Sequence, residues 1–309
     1  MKKISIVTPT FNEEENIREV VDQVRTVFSG LPQYDYEHIF IDNASEDKTV
    51  SILRELVAHD PHVKIIVNAR NFGSLRSPYY GLLQTTGDAA VMILADLQDP
   101  PALIPEFIKK WEEGFKIVVG VKDKSEESRV LFAVKKFYYS LLKNFADIDL
   151  IKNFNGFGLY DKSFVQVLQK LDDPYPYLRG AISEVGFAHA EIKYVQADRK
   201  KGKSHNNFYS LYDTAMLGFV SHSKVPLRLA SFIGFGAAII SFLIGLVYLM
   251  RKLLSWSTFE LGLAPLVVGL FFLGSVQLFF IGVIGEYVGA IYTQVKKRPL
   301  VIEKERINF

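Results

Sequence analysis

The sequence contains no cysteine among its 309 residues. Disulfide bonds and thiolate zinc sites are therefore excluded, and the composition suits a protein kept in a reducing compartment. The chain also lacks a strong charge imbalance, because 36 lysines and arginines oppose 34 aspartates and glutamates. Without an overall polybasic character, nucleic acid is not expected as a main partner. Internal repeats and low-complexity tracts are absent as well.

Two common N-terminal signals are missing. Pro9, Asn12 and the glutamates at 13–15 interrupt the first apolar run too early for a signal peptide, so we expect the N-terminal part to stay in the cytosol. The loop after this run also lacks the Gly-x-Gly-x-x-Gly pattern of a dinucleotide site. A hydride-transfer enzyme is therefore disfavoured.

Two long stretches near the C-terminus, residues 229–250 and 261–285, carry no charge. Each reaches the roughly 20 residues that cross a bilayer core, so both are predicted to be transmembrane helices. The alternative is a pair of buried core helices, which are usually shorter and carry a polar stripe. The linker at 251–260 is short enough for a hairpin. Because lysine and arginine are more frequent on the outer flanks than in the linker, the flanks and the N-terminal domain are expected in the cytosol.

The expected organisation has four parts: a cytosolic domain at 1–207, an amphipathic segment at 208–228, the transmembrane hairpin at 229–292 and a cytosolic tail at 293–309. The second part rests on apolar residues at helical spacing, Phe208, Leu211, Tyr212, Ala215, Met216, Phe219 and Val220. This pattern is typical of a helix in the lipid headgroup layer, or alternatively of one packed on the soluble domain. The two interpretations can hold together. Since two helices alone have little to pack against, we also expect a homo-oligomer.

The N-terminal domain alternates short apolar runs with helical patterns. Five runs read as buried strands, residues 4–8, 38–41, 63–67, 89–94 and 117–121. Asn12 and Glu15 fit a capping box before a helix whose apolar face is Ile17, Val20, Val21, Val24, Val27 and Phe28. A second face follows at Val50, Leu53, Leu56 and Val57. The alternation predicts an α/β fold with a mostly parallel sheet and ligands at the carboxyl ends of its strands.

Two of the loops that follow strands carry candidate ligand groups. Asp42 could accept a hydrogen bond from a base or ribose, although Asp and Ser after a strand are also ordinary helix caps. Asp96 and Gln98 stand two apart on a stretch predicted to be extended, where both could face a divalent cation that bridges a diphosphate. Asp99 precedes two prolines and could instead cap the next helix.

Together these segments resemble a known family. The successive motifs Pro9-Thr10-Phe11-Asn12-Glu13, Asp42-Asn43-Ala44-Ser45 and Asp96-Leu97-Gln98-Asp99-Pro100-Pro101 are similar to those of family-two glycosyltransferases of the polyprenyl-phosphate branch, such as dolichol-phosphate mannose synthases and bactoprenol glucosyltransferases. The resemblance extends through nearly the whole chain, including Leu178-Arg179-Gly180, the basic run at 199–204, and segments 226–229, 285–287 and 297–299. It implies a Rossmann-like glycosyltransferase A fold.

The resemblance also implies roles for individual residues. The nucleotide would be bound by Pro9, Thr10, Phe11, Glu13, Asp42, Asn43 and Asp96. Mg²⁺ or Mn²⁺ would be held by Asp96 and Gln98. The phosphates of donor and acceptor would lie near Arg179, Arg199, Lys200, Lys201, Lys203 and Ser204. The basic run could alternatively be only a solvated anchor beside the membrane.

The chain departs from the family pattern at two places. Leu94 stands where members usually have an acidic residue, which removes one metal ligand. Gly156-Phe157-Gly158 replaces a common Asp-Phe-Arg and so removes a proposed catalytic acid and a cation. Either the base lies elsewhere, with Glu184 and Asp99 as candidates, or none is required. A phosphate monoester has a second pKa near 6 and is already largely ionised at neutral pH.

The leading hypothesis is an inverting transferase that moves a sugar from a nucleotide donor to polyprenyl phosphate. UDP-glucose is the expected donor and undecaprenyl phosphate the expected acceptor in a bacterium, by resemblance to the bactoprenol branch. A transferase of the same fold that uses GDP-mannose or a UDP-aminosugar is the nearest alternative. A non-catalytic membrane sensor or scaffold is the alternative from another class. A transporter is disfavoured, because the chain has two predicted spans and neither contains a charged residue.

Overall fold

The computed structural model describes residues 1–123, 151–197, 223–254 and 263–309, together with Met216 and Val220. The described part contains eight strands, β1 Lys2–Thr10, β2 Tyr34–Asp42, β3 Val63–Asn68, β4 Ala89–Met92, β5 Ile117–Lys122, β6 Gly158–Asp161, β7 His189–Tyr194 and β8 Glu303–Ile307. Its α-helices are α1 Ile17–Ser29, α2 Thr49–His59, α3 Gly73–Leu83, α4 Ile104–Glu112, α5 Lys162–Leu171, α6 Leu178–Val185, α7 Val225–Leu254 and α8 Leu263–Lys296. A short 3₁₀ helix, Pro101–Leu103, precedes α4.

All eight strands form one sheet in the order β7-β5-β6-β4-β1-β2-β3-β8. β1 runs parallel to both β2 and β4, and β2 runs parallel to β3. β6 is antiparallel to its neighbours β4 and β5, while β5 and β7 are parallel. The sheet is therefore mixed and mostly parallel, and the predicted α/β fold class is confirmed. The five strands predicted from apolar runs correspond to β1–β5.

Apolar faces of the helices cover the sheet and exclude water from it. On α1, Ile17, Val20, Val21, Val24 and Phe28 are buried, as the sequence period predicts. The predicted capping box is wrong. Asn16 is the N-cap of α1 and no side chain caps the helix, because Asn12 has a left-handed backbone with φ 55° and bonds a neighbouring loop instead.

The C-terminal residues return to the sheet as β8, which the sequence analysis did not predict. β8 pairs antiparallel with β3, with Ile307 opposite Ile65. Asn308 donates hydrogen bonds to the carbonyls of Pro61 and Val63 at 3.0 and 2.8 Å. β8 therefore attaches the C-terminal end of the two-helix hairpin to the sheet of the domain.

α7 and α8 contain the two candidate membrane spans, Val225–Val247 and Gly269–Lys296, with mean hydropathy of 2.3 and 1.7. Neither stretch is buried, which contradicts the alternative of core helices. Both helices are long and apolar enough to cross a membrane. The predicted amphipathic segment lies largely outside the described residues; within it, Met216 and Val220 are helical, and α7 begins at Val225.

Candidate active site

The first candidate loop leaves β1 beside the end of β2. In the parallel register Pro9 lies opposite Ile41, and Thr10 lies opposite Asp42. Thr10 is buried, and its hydroxyl donates to the Asp42 carboxylate at 3.4 Å. Pro9 and Phe11 are half-buried. The predicted nucleotide residues of the first two motifs are thus adjacent.

Hydrogen bonds between backbone amides and short side chains connect the loops after β1 and β2. The Asn12 amide nitrogen donates to Ser45 Oγ at 2.9 Å, and the Glu46 amide nitrogen donates to Asn12 Oδ1 at 2.8 Å. Glu13 is buried, where its carboxylate accepts from Asn16 at 2.6 Å and its amide nitrogen donates to Thr49. Glu13 thereby secures the start of α1 and the start of α2 to each other.

Asp42 lies beneath the surface, with no exposed area. Its carboxylate accepts from the Ser45 amide nitrogen at 2.9 Å and from Ser45 Oγ at 2.5 Å. Burial raises the pKa of Asp42, although the bonds from Ser45 and Thr10 oppose that rise. These bonds close a turn. The helix-cap interpretation is wrong for Asp42, because the N-cap of α2 is Lys48.

Asn43 connects these two loops to a third, which follows β3 and which the sequence analysis did not consider. Its Oδ1 accepts from the Phe72 amide nitrogen at 2.9 Å and from Asn68 at 3.2 Å, and its Nδ2 donates to Asn71 at 2.8 Å. The side chain is 7% exposed, and its polar atoms are bonded within the protein. A run of asparagine and glycine after a third parallel strand was the available signal for this loop.

The fourth loop, after β4, carries Asp96 and Gln98. The expected extended stretch is wrong: Leu97 has a left-handed φ of 56°, and the Gln98 amide nitrogen donates to Asp96 Oδ1 at 3.2 Å. The chain therefore turns at Leu97. Gln98 Nε2 also donates to the carbonyl of Ala197 at 3.2 Å, and the Ala197 amide nitrogen donates back to the Gln98 carbonyl at 3.3 Å. This joins the fourth loop to the segment that leads into the basic run.

The side chains of this loop can hold a divalent cation only if a bound ligand supplies further oxygen atoms. Asp96 and Gln98 are half-buried and offer one carboxylate and one carboxamide oxygen. Leu94 adds no donor, and the described residues contain no group of three His, Cys, Asp or Glu side chains able to hold a metal. Mg²⁺ is commonly bound through one or two carboxylates plus substrate phosphates. The residues present therefore suit a cation that arrives with a diphosphate.

Asp99 is fully buried, away from solvent. Tyr194 donates to its Oδ1 at 2.5 Å, and Asn155 donates to both carboxylate oxygens at 3.1 and 2.9 Å. Burial raises the pKa of Asp99, while Tyr194 and the charge of Lys122 oppose the rise. The helix-cap interpretation of Asp99 is wrong, since Pro100 is the N-cap of the 3₁₀ helix and receives no side-chain bond.

The glycines that replace Asp-Phe-Arg are required by the backbone. Gly156 has φ +107°, a conformation that L side chains rarely adopt. A Cβ at Gly158 would approach the Val118 carbonyl oxygen to 2.4 Å, because β6 lies close against β5 there. Phe157 between them is buried against Phe107 and Tyr194. An acidic side chain at 156 would therefore strain the backbone, and an arginine at 158 would require β5 and β6 to move apart.

The remaining candidates lie on α6 or beyond the described residues. Arg179 is half-buried on α6, and Glu184 is exposed at the other end of the same helix. Glu184 lines a cavity of about 1010 Å³ between the domain and α8, whose described lining does not include Asp42, Asp96 or Gln98. The predicted phosphate contacts Arg199, Lys200, Lys201, Lys203 and Ser204 lie outside the described residues.

Comparison with known proteins gives consistent matches. Residues 5–168 match glycosyl transferase family 2. The chain is 37% identical over 304 residues to the SfII prophage-derived bactoprenol glucosyl transferase of Shigella flexneri, a match that covers 98% of each chain. It is 37% identical over 299 residues to the uncharacterized glycosyltransferase YkcC of Bacillus subtilis strain 168, covering 96% of this chain and 92% of that one. A solved structure, the mannosyltransferase PcManGT from Pyrobaculum calidifontis in complex with GDP-Man and Mn²⁺, aligns with TM-score 0.48 and 15% identity over 96% of this chain and 87% of that chain.

Proposed function

The chain belongs to glycosyl transferase family 2 and is a glycosyltransferase, and on that premise we propose that it moves a sugar from a nucleotide donor onto the phosphate of a polyprenyl lipid. The relatives at 37% identity include proteins named bactoprenol glucosyl transferases, and the match covers nearly the whole of both chains. A lipid acceptor agrees with two helices that are long and apolar enough to span a membrane.

One structural observation carries the proposal. The loops after β4, β1 and β2 leave three adjacent parallel strands at one edge of the sheet, where ligands of such sheets bind. The C-terminal end of the hairpin of α7 and α8 is attached to the same domain through β8. A donor held at this edge is therefore kept on a domain that cannot leave the bilayer surface.

Each of the four loops would have its own role in binding the donor. The β1 and β2 loops, with Pro9, Phe11 and the buried Asp42 turn, would hold the nucleotide. Asp96 and Gln98 would hold Mg²⁺ or Mn²⁺, which would stabilise the departing diphosphate as a Lewis acid. Asn43 would act by keeping the loop after β3 in place, since its amide atoms are already bonded to Phe72, Asn68 and Asn71.

The acceptor needs little activation. Its phosphate is largely ionised at neutral pH, so attack on the anomeric carbon requires alignment and charge stabilisation rather than removal of a proton. In-line attack inverts the configuration at that carbon. Asp99, buried and bonded by Tyr194 and Asn155, suits a brace better than a base. Glu184 remains a candidate base, and Arg179 with the basic run 199–204 would attract the lipid phosphate.

UDP-glucose is the proposed donor, with GDP-mannose or a UDP-aminosugar as the alternative. The lysines and arginines that flank the hairpin support a cytosolic position for the domain and for both termini.

The proposal is tested with the purified full chain in nanodiscs, Mg²⁺ and undecaprenyl phosphate. Labelled UDP-glucose, GDP-mannose and UDP-N-acetylglucosamine are supplied in turn, and the lipid product is identified by mass spectrometry. We expect one donor to yield a monoglycosylated polyprenyl phosphate of inverted anomeric configuration. Donor binding without turnover of any of the three would overturn the proposal and would favour a non-catalytic sensor.

A further inference from the structure

A cavity beside α8 is not explained by nucleotide binding, because its described lining contains none of the predicted nucleotide residues. It measures about 1010 Å³. One wall comes from the domain, with Arg76 and Tyr79 of α3, Tyr175 and Tyr177 of the loop before α6, and Glu184. The other wall is α8 from Gly282 to Val295, which belongs to a candidate membrane span.

The α8 wall contains three glycines. Gly282, Gly285 and Gly289 are spaced three and four residues apart and so share one face of the helix. A Cβ built on any of the three would meet no atom within 4 Å. Because these glycines belong to the candidate membrane span Gly269–Lys296, an apolar chain that enters from the bilayer would lie along this face.

Arg76 is the one described cation that lines this cavity. Its guanidinium carbon lies 4.7 Å from the centroid of the Tyr175 ring. Its Nε is buried and has no hydrogen-bond partner, so only the terminal nitrogens of the guanidinium can meet a ligand in the cavity. A buried donor without a partner is costly, and a guanidinium most readily satisfies phosphate or carboxylate oxygens. No described carboxylate lies within ion-pair distance of Arg76. Arg76 therefore places a positive charge at the cavity wall without a described carboxylate to neutralise it.

Three carboxylates also line the cavity, and their positions restrict where an anion can bind. Asp173 is already engaged, since its Oδ1 accepts from the Tyr175 amide nitrogen at 2.9 Å and from Gln294 at 2.8 Å. Glu184 lies on α6 and Glu286 on α8. Among the described lining residues, these carboxylates repel an anionic group and Arg76 attracts it.

We propose that Arg76 binds the phosphate of the isoprenoid acceptor in this cavity, with the hydrocarbon lying along the glycine face of α8. The proposal rests on the function proposed above and adds a residue that determines acceptor recognition. Its chemistry requires a ligand with one anionic head and one apolar tail. The contact with the Tyr175 ring restrains the guanidinium, whose planar shape favours bidentate contact with a phosphate.

The test compares Arg76→Gln with Arg76→Lys in the full chain, reconstituted in phosphatidylcholine nanodiscs. Arg18→Gln is the matched control, because Arg18 pairs with Glu55 on the exposed face of α1. We expect Arg76→Gln to raise the KM for undecaprenyl phosphate about ten-fold or more while the donor KM stays within about two-fold. Arg76→Lys should fall between Arg76→Gln and the unmodified chain, and Arg18→Gln should match the unmodified chain.

Binding without chemistry supplies a second measurement. In the absence of donor, farnesyl phosphate should raise the thermal stability of the unmodified chain more than farnesol does, and this preference should vanish in Arg76→Gln. If Arg76→Gln fails to fold, Arg76→Lys tests the proposal in its place. A raised acceptor KM and a weakened preference for farnesyl phosphate in Arg76→Lys would support the proposal, and unchanged values would contradict it.

The outcomes separate this inference from the proposed function. If the unmodified chain glycosylates undecaprenyl phosphate while the Arg76 variants retain its acceptor KM and its phosphate preference, the inference is wrong and the function stands. An equal rise in donor and acceptor KM would assign Arg76 a structural role and would also overturn the inference. If the unmodified chain glycosylates no polyprenyl phosphate, the function fails and the inference fails with it.

Discussion

The hydroxyl of Tyr194, at the end of β7, donates a 2.5 Å hydrogen bond to Oδ1 of Asp99 in the loop that leaves β4. Asn155 binds the same carboxylate from the approach to β6. Asp99 therefore connects the loop that leaves β4 with the end of β7 and the start of β6. A buried carboxylate with these partners holds the fourth loop in position and does not contact solvent.

Removing the Tyr194 hydroxyl should lower the thermodynamic stability of the domain. We expect Tyr194→Phe to lower the free energy of unfolding by about 1–3 kcal/mol, because a buried charged acceptor loses one donor. Denaturant unfolding followed by Trp111 fluorescence measures the change. A double-mutant cycle with Asp99→Asn isolates the interaction. If Tyr194→Phe costs the same with and without Asp99→Asn, the two residues are not coupled and Asp99 is not the brace described here.

Asp96 should be far more important for turnover than Glu184. We expect Asp96→Asn to reduce kcat more than about 100-fold, because it removes the one described carboxylate of the proposed cation site. Glu184→Gln should stay within about ten-fold of the unmodified chain, because the acceptor phosphate is already ionised. Initial transfer rates between pH 6 and 8 provide the measurement, with the exposed Asp22→Asn on α1 as control.

The pH dependence of the transfer rate shows whether Glu184 acts as a general base. A large loss of rate in Glu184→Gln, accompanied by loss of the acidic limb of the profile, would identify Glu184 as a general base. Full turnover in Asp96→Asn would contradict the proposed cation site.

The first half of the fold was predictable because its signals are local. β1–β5 are short apolar runs bounded by turn residues, and the face of α1 repeats with the helical period. β8 was not predictable in this way. Its sequence, Glu303-Lys304-Glu305-Arg306-Ile307, is mostly charged, and its partner β3 lies more than 200 residues earlier. Charged side chains are common on edge strands, where one face meets solvent. Such a strand lacks the apolar pattern by which β1–β5 were predicted.

The site was predictable as a set of loops, but its bonds were not. The placement of Thr10 and Asp42 at one sheet edge follows from parallel pairing. The partners of Asn43 and Asp99 come from segments 25 to 95 residues away, so their positions depend on the whole fold. The turn at Leu97 was missed because a left-handed φ is unusual for leucine and gives no signal in the sequence.

Asn43 should affect donor binding through the loop after β3. Asn43→Ala leaves the Phe72 amide nitrogen and Asn68 without their acceptor, so we expect a loss of about 1–3 kcal/mol in stability. Weaker binding of UDP or GDP should accompany it, measured by isothermal titration. Gln23→Ala on α1 is the matched control, since Gln23 bonds only Glu19. Unchanged nucleotide affinity in a destabilised Asn43→Ala would separate this loop from the nucleotide site.

Two neighbouring buried groups on β2 should make the domain sensitive to acid. Burial lowers the pKa of His38 to about 3 from 6.5, because the imidazole, bonded to Thr8 at 2.8 Å, is kept neutral. Burial alone would raise the pKa of Glu37, but hydrogen bonds from Lys64, Ser5 and Thr86 lower it to about 2 from 4.5. Below pH 6.5 the unfolded chain binds a proton at His38 that the folded chain does not bind. Below pH 4.5 the same holds for Glu37.

The free energy of unfolding should therefore fall as the pH falls, first through His38 and then also through Glu37. Each group contributes a limiting slope of about 1.4 kcal/mol per pH unit. We expect His38→Gln to flatten the decline between pH 6.5 and 4.5 and to leave only the Glu37 contribution to the decline between pH 4.5 and 2. Denaturant unfolding at a series of pH values measures both. An unchanged slope above pH 4.5 in His38→Gln would show that His38 is not the group responsible.

β8 should fix the membrane hairpin to the catalytic domain. Four residue pairs join β8 to β3, and side-chain contacts add to them: Tyr80 donates to Glu303 at 2.8 Å, Arg54 pairs with Glu305, and Arg306 donates to Gln84 at 2.7 Å. Cross-strand pairs contribute roughly 0.2–1 kcal/mol each, so the strand should stabilise the domain by about 1–4 kcal/mol.

Deleting residues 303–309 should expose the edge of β3 and free one end of the hairpin. We expect faster hydrogen exchange at the β3 amides, a lower thermal unfolding temperature, and a loss of transfer to membrane-bound acceptor that exceeds any loss of nucleotide binding. Lys304→Gln serves as control, because Lys304 is exposed on β8 and its replacement keeps the strand. If β3 keeps its protection and the truncated chain glycosylates lipid at the rate of the Lys304→Gln control, then β8 does not hold the donor site at the bilayer, and α7 alone must do so.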